Sequence, residues 1–351
     1  MRYILFSLGF ILLNLSANAQ QLLSDQFIGS PILVNPAACG QYSGYTISSG
    51  YRRQWTGLEN APSSFNAIIE YKFPGSDAKS KLDANKGLPL MGKWAIVKPP
   101  KLKSGRRRRG SLLPPDSVKL FYAAGLRLQT ENIGFISRTK FGLMFSGHYN
   151  LNNDRFISVG AQFGLQSTQL NLSNAILEDP TEFAKISERS GTALNAGLGA
   201  YYYSPDIIAG VSIMDIGANN QSFFNAISGK PSSYPFTLFG TFGYIRKLSS
   251  TIELIPAATF RYSSGYNAAI IDLTAKTLIN EKFMAGAGFR STRAPLIFLG
   301  YLLDGQYSFN YCYGLQPNTA FESARSSHEL MFSMNIQNKA ARLIPTNYRW
   351  R

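Results

Sequence analysis

The sequence predicts an all-β fold, a transmembrane antiparallel outer-membrane β-barrel of about 14 strands. Three observations lead there. From about Gly44 to Ile336 the chain repeats a run of roughly eight to twelve residues in which apolar side chains alternate with small or polar ones, each run closed by a turn. The chain opens on a stretch with the features of an export signal. Charged residues make up 16% of the chain and aromatic residues 13%, which suits a wall that meets lipid between aromatic girdles.

The alternation is clearest at Ile157 to Gln166. There Ile157, Val159, Ala161, Phe163 and Leu165 share one face, and Ser158, Gly160, Gln162, Gly164 and Gln166 share the other. A period of two means a strand, with one face for lipid and one for a polar lumen. Phe141, Leu143 and Phe145 repeat the pattern, as do Phe283, Ala285, Ala287 and Phe289. Strands of soluble sandwiches run to about five or six residues, whereas a tilted strand needs about nine to eleven to cross a bilayer. The length of these runs favours the membrane.

Arg2, the apolar stretch Ile4 to Leu15 and Ala17-Asn18-Ala19 read as a signal peptide over 1-19, so the mature chain starts at Gln20. No later stretch reaches the roughly 18 unbroken apolar residues of a spanning helix, which leaves strands to make the crossing. Cys39 and Cys312 are the two cysteines of the chain, enough for one bridge or for two free thiols.

Strands are expected at 44-53, 62-72, 118-130, 138-149, 155-168, 192-203, 206-214, 235-246, 251-262, 266-275, 282-291, 294-303, 307-314 and 326-336. An even count puts both termini on one side, the periplasm. The long connections 169-191, 215-234 and 315-325 then fall on the outer side. Residues 20-43 precede the barrel of 44-336 and include the apolar, Pro-broken run Pro31 to Pro36. Such a segment suits either a plug or the periplasmic rim.

One connection breaks the expectation of short periplasmic turns. Residues 74-117 hold eleven basic residues, including Arg106, Arg107, Arg108 and Arg109, against Asp77, Asp83 and Asp116. The tail 337-351 adds Lys339, Arg342, Arg349 and Arg351 with no acid. These two segments therefore hold most of the net +15. Basic charge there would attract an acidic periplasmic protein, anionic headgroups or peptidoglycan-associated partners, or it is simply a solvated loop. Nucleic acid is not expected as a partner of an exported barrel.

An enzyme is not indicated. His148 and His328 are the chain's two histidines, and neither a G-x-S-x-G elbow nor a phosphate-cradling glycine loop occurs. No cofactor and no metal site is expected, and His148 reads as a lumen-lining residue. A diffusion porin or solute channel is the rival reading, because fourteen strands enclose a passage if nothing fills it.

Asn35-Pro36-Ala37-Ala38-Cys39-Gly40, then Tyr51-Arg52-Arg53-Gln54-Trp55-Thr56-Gly57 with Ala61-Pro62, then Ser326-Ser327-His328-Glu329-Leu330 give the chain a recognisable signature. On these residues it resembles the PorP/SprF family of type IX secretion-associated outer-membrane proteins of Bacteroidota. The resemblance implies a barrel subunit of the secretion and gliding machinery that anchors the C-terminal domains of exported surface adhesins. Cys39, Tyr311-Cys312-Tyr313-Gly314 and the basic insertion depart from the family pattern. Arg52, Arg53, Gln54 and Trp55, with Arg106 to Arg109, are candidates for partner binding. For the first four, lumen arginines paired to wall acids such as Glu70, Asp272 or Glu329, beside an interfacial Trp, are the alternative.

Overall fold

The structure, a computed structural model, describes residues 24-73, 120-170, 190-217, 236-315 and 326-336, apart from Ile28, Ser43, 152-154, Tyr266 and Asp304. The expected signal peptide 1-19, the whole basic insertion 74-117 with Arg106 to Arg109, and the tail 337-351 lie outside these residues.

The chain forms a closed antiparallel barrel of fourteen wall strands. They are β1 (Tyr45–Gln54), β2 (Ser63–Lys72), β3 (Leu120–Ile133), β4 (Ile136–Asn150), β5 (Phe156–Leu170), β6 (Ser190–Tyr203), β7 (Ile207–Ile216), β8 (Thr237–Tyr244), β10 (Ile252–Ser263), β11 (Ala268–Ile279), β12 (Phe283–Arg290), β13 (Ala294–Leu303), β14 (Tyr307–Leu315) and β15 (Ser326–Ile336). A two-residue piece, β9 (Arg246–Lys247), prolongs β8 past Ile245. Consecutive strands pair along the ring, and β15 closes it by pairing with β1 from Tyr45↔Ile336 to Gln54↔Ser327. Closure removes the sheet edges, so every wall strand finds partners on both sides inside lipid.

The period of two sets which side chains meet lipid. On β5, Ile157, Val159, Phe163 and Leu165 are exposed, while Ser158, Gln162 and Gln166 are buried in the lumen. The buried inner faces of the other strands are rich in Ser, Thr, Asn, Gln, Arg and Glu. A ten-residue strand at about 3.4 Å per residue and about 45° of tilt crosses roughly 24 Å, close to the apolar band of about 25 Å.

Several strands overrun their expected ends: β11 reaches Ile279 against 275, β5 and β7 reach Leu170 and Ile216 against 168 and 214, and β6 starts at Ser190 against 192. β3 and β4 continue to Ile133 and Ile136 and meet at a tight turn with Gly134 at φ 57°. Periodicity in the sequence fades there because both faces carry polar groups, yet Glu131 is still buried and Arg138 points to it at 3.4 Å. The ladder outlasts the apolar alternation.

Residues 24-42 occupy the barrel interior. We call the end of the barrel at which β1 finishes the upper mouth. Ser24 and Asp25 bond Glu329 near the start of β15, beside the end of β1. The chain then descends through two 3-10 turns, Pro31–Leu33 and Pro36–Ala38, and reaches Glu70 near the lower end of β2 at Gly40. Glu329 on β15 and Ser212 on β7, which donates to the Val34 carbonyl, stand seven places apart in the ring of fourteen. The segment thus crosses the whole lumen. β1 starts and β15 stops at the lower mouth, as an even number of strands requires, while the described part of the inner segment begins at the upper mouth.

Candidate functional site

The interface between this inner segment and the wall is where the signature residues meet. Asn35 caps the second 3-10 turn, its Oδ1 accepting from Ala37 N at 2.9 Å, and Pro36 fits the first position, which needs no N–H. The Asn35 Nδ2 donates to the carbonyls of Ala200 on β6 and Val211 on β7, at 2.9 and 3.2 Å. Ser158 on β5 donates to the Ala37 carbonyl at 2.7 Å.

Glycines make room for this packing. A Cβ on Gly160 would lie 2.5 Å from Ala37 N, and one on Gly199 would lie 2.0 Å from Asn35 Oδ1. Gly40 has φ +76°, and a Cβ there would collide with the Ala123 Cβ at 2.0 Å. The Asn-Pro-Ala-Ala-Cys-Gly element is therefore a docking element read by β3, β5, β6 and β7.

Below it, Cys39 is buried, and its carbonyl accepts from Ser146 Oγ at 2.7 Å and lies 2.7 Å from His148 Nε2. The other His148 nitrogen lies 2.7 Å from the Tyr203 hydroxyl, and the imidazole stacks on Phe121 at 4.5 Å. His148 is lumen-facing as expected, fully enclosed by these partners. Glu70 accepts from Gly40 N at 2.7 Å. Cys39 and Cys312 are both free thiols.

At the upper mouth the contact is ionic. Asp25, 1% exposed at its side chain, is held by Arg52 Nε at 3.0 Å and Arg290 Nη2 at 2.7 Å. Arg290 also grips Asp272 through two nitrogens, at 2.7 and 2.8 Å. Arg52 Nη1 donates to Gln54 at 3.1 Å, and Arg261 on β10 is buried near the same charges. Burying so many charges is tolerable only when they are paired this closely.

The candidate residues divide by face. Arg52, Gln54, Ser327 and Glu329 face the lumen and are buried, whereas Arg53 and His328 alternate outward. Trp55 stands at the turn after β1 with φ 56°. The direct ion pair of Arg52 is with Asp25 of the inner segment, and the wall acid Glu329 lies across the ladder from it. Asp25, Arg290 and Arg261 had not been singled out from sequence: an acid amid an apolar N-terminal segment was the available signal, but its partners lie 27 and 265 positions away.

Across the lumen a second polar set ties wall strands together. Lys140 on β4 pairs with Asp215 on β7 at 2.8 Å, and Asn195 donates to the same carboxylate at 3.0 Å. Among the described residues no group of His, Cys, Asp and Glu could hold a metal ion.

The family model for type IX secretion system membrane protein PorP/SprF matches residues 16-88 and 109-334. The chain belongs to the PorP/SprF family. The two matched stretches cover most of this PorP/SprF chain and include all three signature elements. Comparison with curated proteins returns no match. Among solved structures, the Ralstonia pickettii toluene transporter TbuX is similar over 92% of this chain and 96% of its own, with TM-score 0.46 and 9% identity. The Pseudomonas putida toluene transporter TodX covers 93% and 97%, with TM-score 0.45 and 9% identity. Acinetobacter baumannii Omp33 covers 85% and 100%, with TM-score 0.44 and 8% identity. At these values the likeness is to barrels of the outer membrane and carries no argument about what passes through or binds.

Proposed function

We propose that this PorP/SprF protein does no chemistry and serves as a docking subunit of the type IX secretion and gliding machinery. In this reading it holds the C-terminal domains of exported adhesins at the upper mouth, on the cell surface. The basic insertion 74-117 and tail 337-351 face the periplasm and engage an acidic or peptidoglycan-associated component of the machine. The observation that carries the reading is the segment 24-42, which spans the lumen between opposite strands and is bonded to the wall at both depths. A barrel filled in this way offers a fixed surface and not a path for diffusion, which favours docking over the porin alternative.

The test is affinity recovery of the tagged protein from gently solubilised outer membranes of its native host, followed by mass spectrometry. Co-recovery of a large secreted surface protein together with type IX components is the expected result. A barrel recovered alone, under conditions that preserve other complexes, and conducting ions in a planar bilayer, would move the assignment to a pore.

A further inference from the structure

The two signature elements on β1 and β15 alternate between faces, and the inner segment uses the inward half only. Outward, Arg53 lies across the ladder from His328, and His328 lies across from Tyr313 on β14. The Tyr311 hydroxyl is 2.7 Å from His328 Nδ1, and the Tyr313 ring meets the imidazole edge-on at 5.2 Å. Arg53 is exposed, and none of the ion pairs among the described residues includes it. This places a guanidinium, an imidazole and phenol groups together on the lipid side of the upper rim.

Immediately below, the same strands carry an open apolar groove of about 700 Å³. Tyr51, Phe65, Leu299, Phe309, Leu330 and Phe332 line it, around the small side chain of Ser49. The row Tyr51, Leu330, Tyr311 lies two residues along the strands from the row Arg53, His328, Tyr313, a step of about 7 Å. Groove and cationic rim are therefore continuous. Rows of aromatics elsewhere on the wall meet fluid lipid, but here a recess runs directly up to an unpaired Arg at headgroup height.

We propose that this face binds one phosphorylated outer-leaflet glycolipid, an acyl chain lying in the groove and a phosphate resting on Arg53 and His328. A guanidinium fork matches phosphate oxygens, and the imidazole and a tyrosine hydroxyl add donors. The site goes beyond the docking role, and it rests on that reading only in taking the upper mouth as the outer one. Its occupant is held from the membrane side, away from the inner segment and from any surface the mouth presents to a client.

The experiment uses the full chain in nanodiscs containing a lipid A-type diphosphoryl glycolipid, followed by transfer to mild detergent and native mass spectrometry. The unmodified protein is expected to keep about one such lipid, and the R53A/H328A pair at least fivefold less. Ser49→Trp, which fills the groove and leaves Arg53 and His328 in place, is also expected to lose it. The dephosphorylated glycolipid, tested in parallel, should not be retained. Equal retention by R53A/H328A, or equal retention of the dephosphorylated lipid, would overturn the proposal. Heat-modifiable migration on gels checks the fold of each variant, and client recovery is scored separately, so loss of the lipid site is distinguishable from failure of the docking role.

Discussion

Replacing Asp25 by Ala removes the carboxylate that two wall arginines share. Arg290 keeps its two bonds to Asp272, but Arg52 loses its direct ion pair and keeps only the Gln54 amide oxygen and the more distant charge of Glu329 across the ladder. Removing one partner of a buried pair costs roughly 3–5 kcal/mol, because the remaining charge stays desolvated. When the upper half of the inner segment lifts away, water reaches Arg52 and relieves that cost, so the penalty falls on the docked state alone. At about 1.4 kcal/mol per tenfold, even the lower figure changes the ratio of docked to released segment by on the order of a hundredfold.

Amide hydrogen exchange in detergent, read by mass spectrometry, reports that ratio directly, since amides exchange through local opening. The amides of Asp25, Gln26, Gly29 and Ser30 are hydrogen-bonded in the docked state. They should exchange about a hundredfold faster in Asp25→Ala. Those of Ala38, Cys39 and Gly40, anchored at the lower end, should change little. Exchange at 25-30 within threefold of the unmodified protein would refute the ion-pair account of how the segment is held.

Four further outcomes are expected. Gly160→Val drives a side chain into the Ala37 backbone and should lower stability by about 1–3 kcal/mol, visible as a lower melting temperature of the heat-modifiable gel form. Asn35→Ala removes a cap and two bonds to wall carbonyls, a loss of roughly 2–3 kcal/mol measurable by the same assay. His148→Ala leaves the Tyr203 hydroxyl unpaired and a void beside Phe121, and should destabilise by about 2–4 kcal/mol without affecting client recovery. Deleting 93-110 should weaken recovery of periplasmic partners and reduce the salt dependence of that recovery, since exposed charge attraction is screened by salt. Unchanged recovery would remove the role assigned to the insertion.

The sequence by itself determined the barrel. A period of two is a local property: Ile157 and Ser158 disclose opposite faces of β5 whatever lies next to them, and the expected strands fall close to those observed. Where contrast between faces faded, at Thr130 to Arg138, the strand ends were misjudged, because the backbone ladder continues without an apolar cue. The signature elements were also legible as patterns, since Asn35, Pro36 and Gly40 have backbone preferences of their own.

What they do was decided by tertiary structure. The segment 24-42 suited the rim as well as the lumen until Asp25 met Arg290 and Asn35 met Ala200 and Val211, contacts between positions 165 to 265 residues apart. Arg52 and Arg53 are adjacent and chemically identical, yet one is caged inside the lumen and the other stands toward lipid. Strand alternation assigns them to different faces, but only closure of β15 on β1 brings Glu329 beside the first and His328 beside the second. The distance in sequence between such partners carries no periodic signal, and ring closure is what converts it into contact.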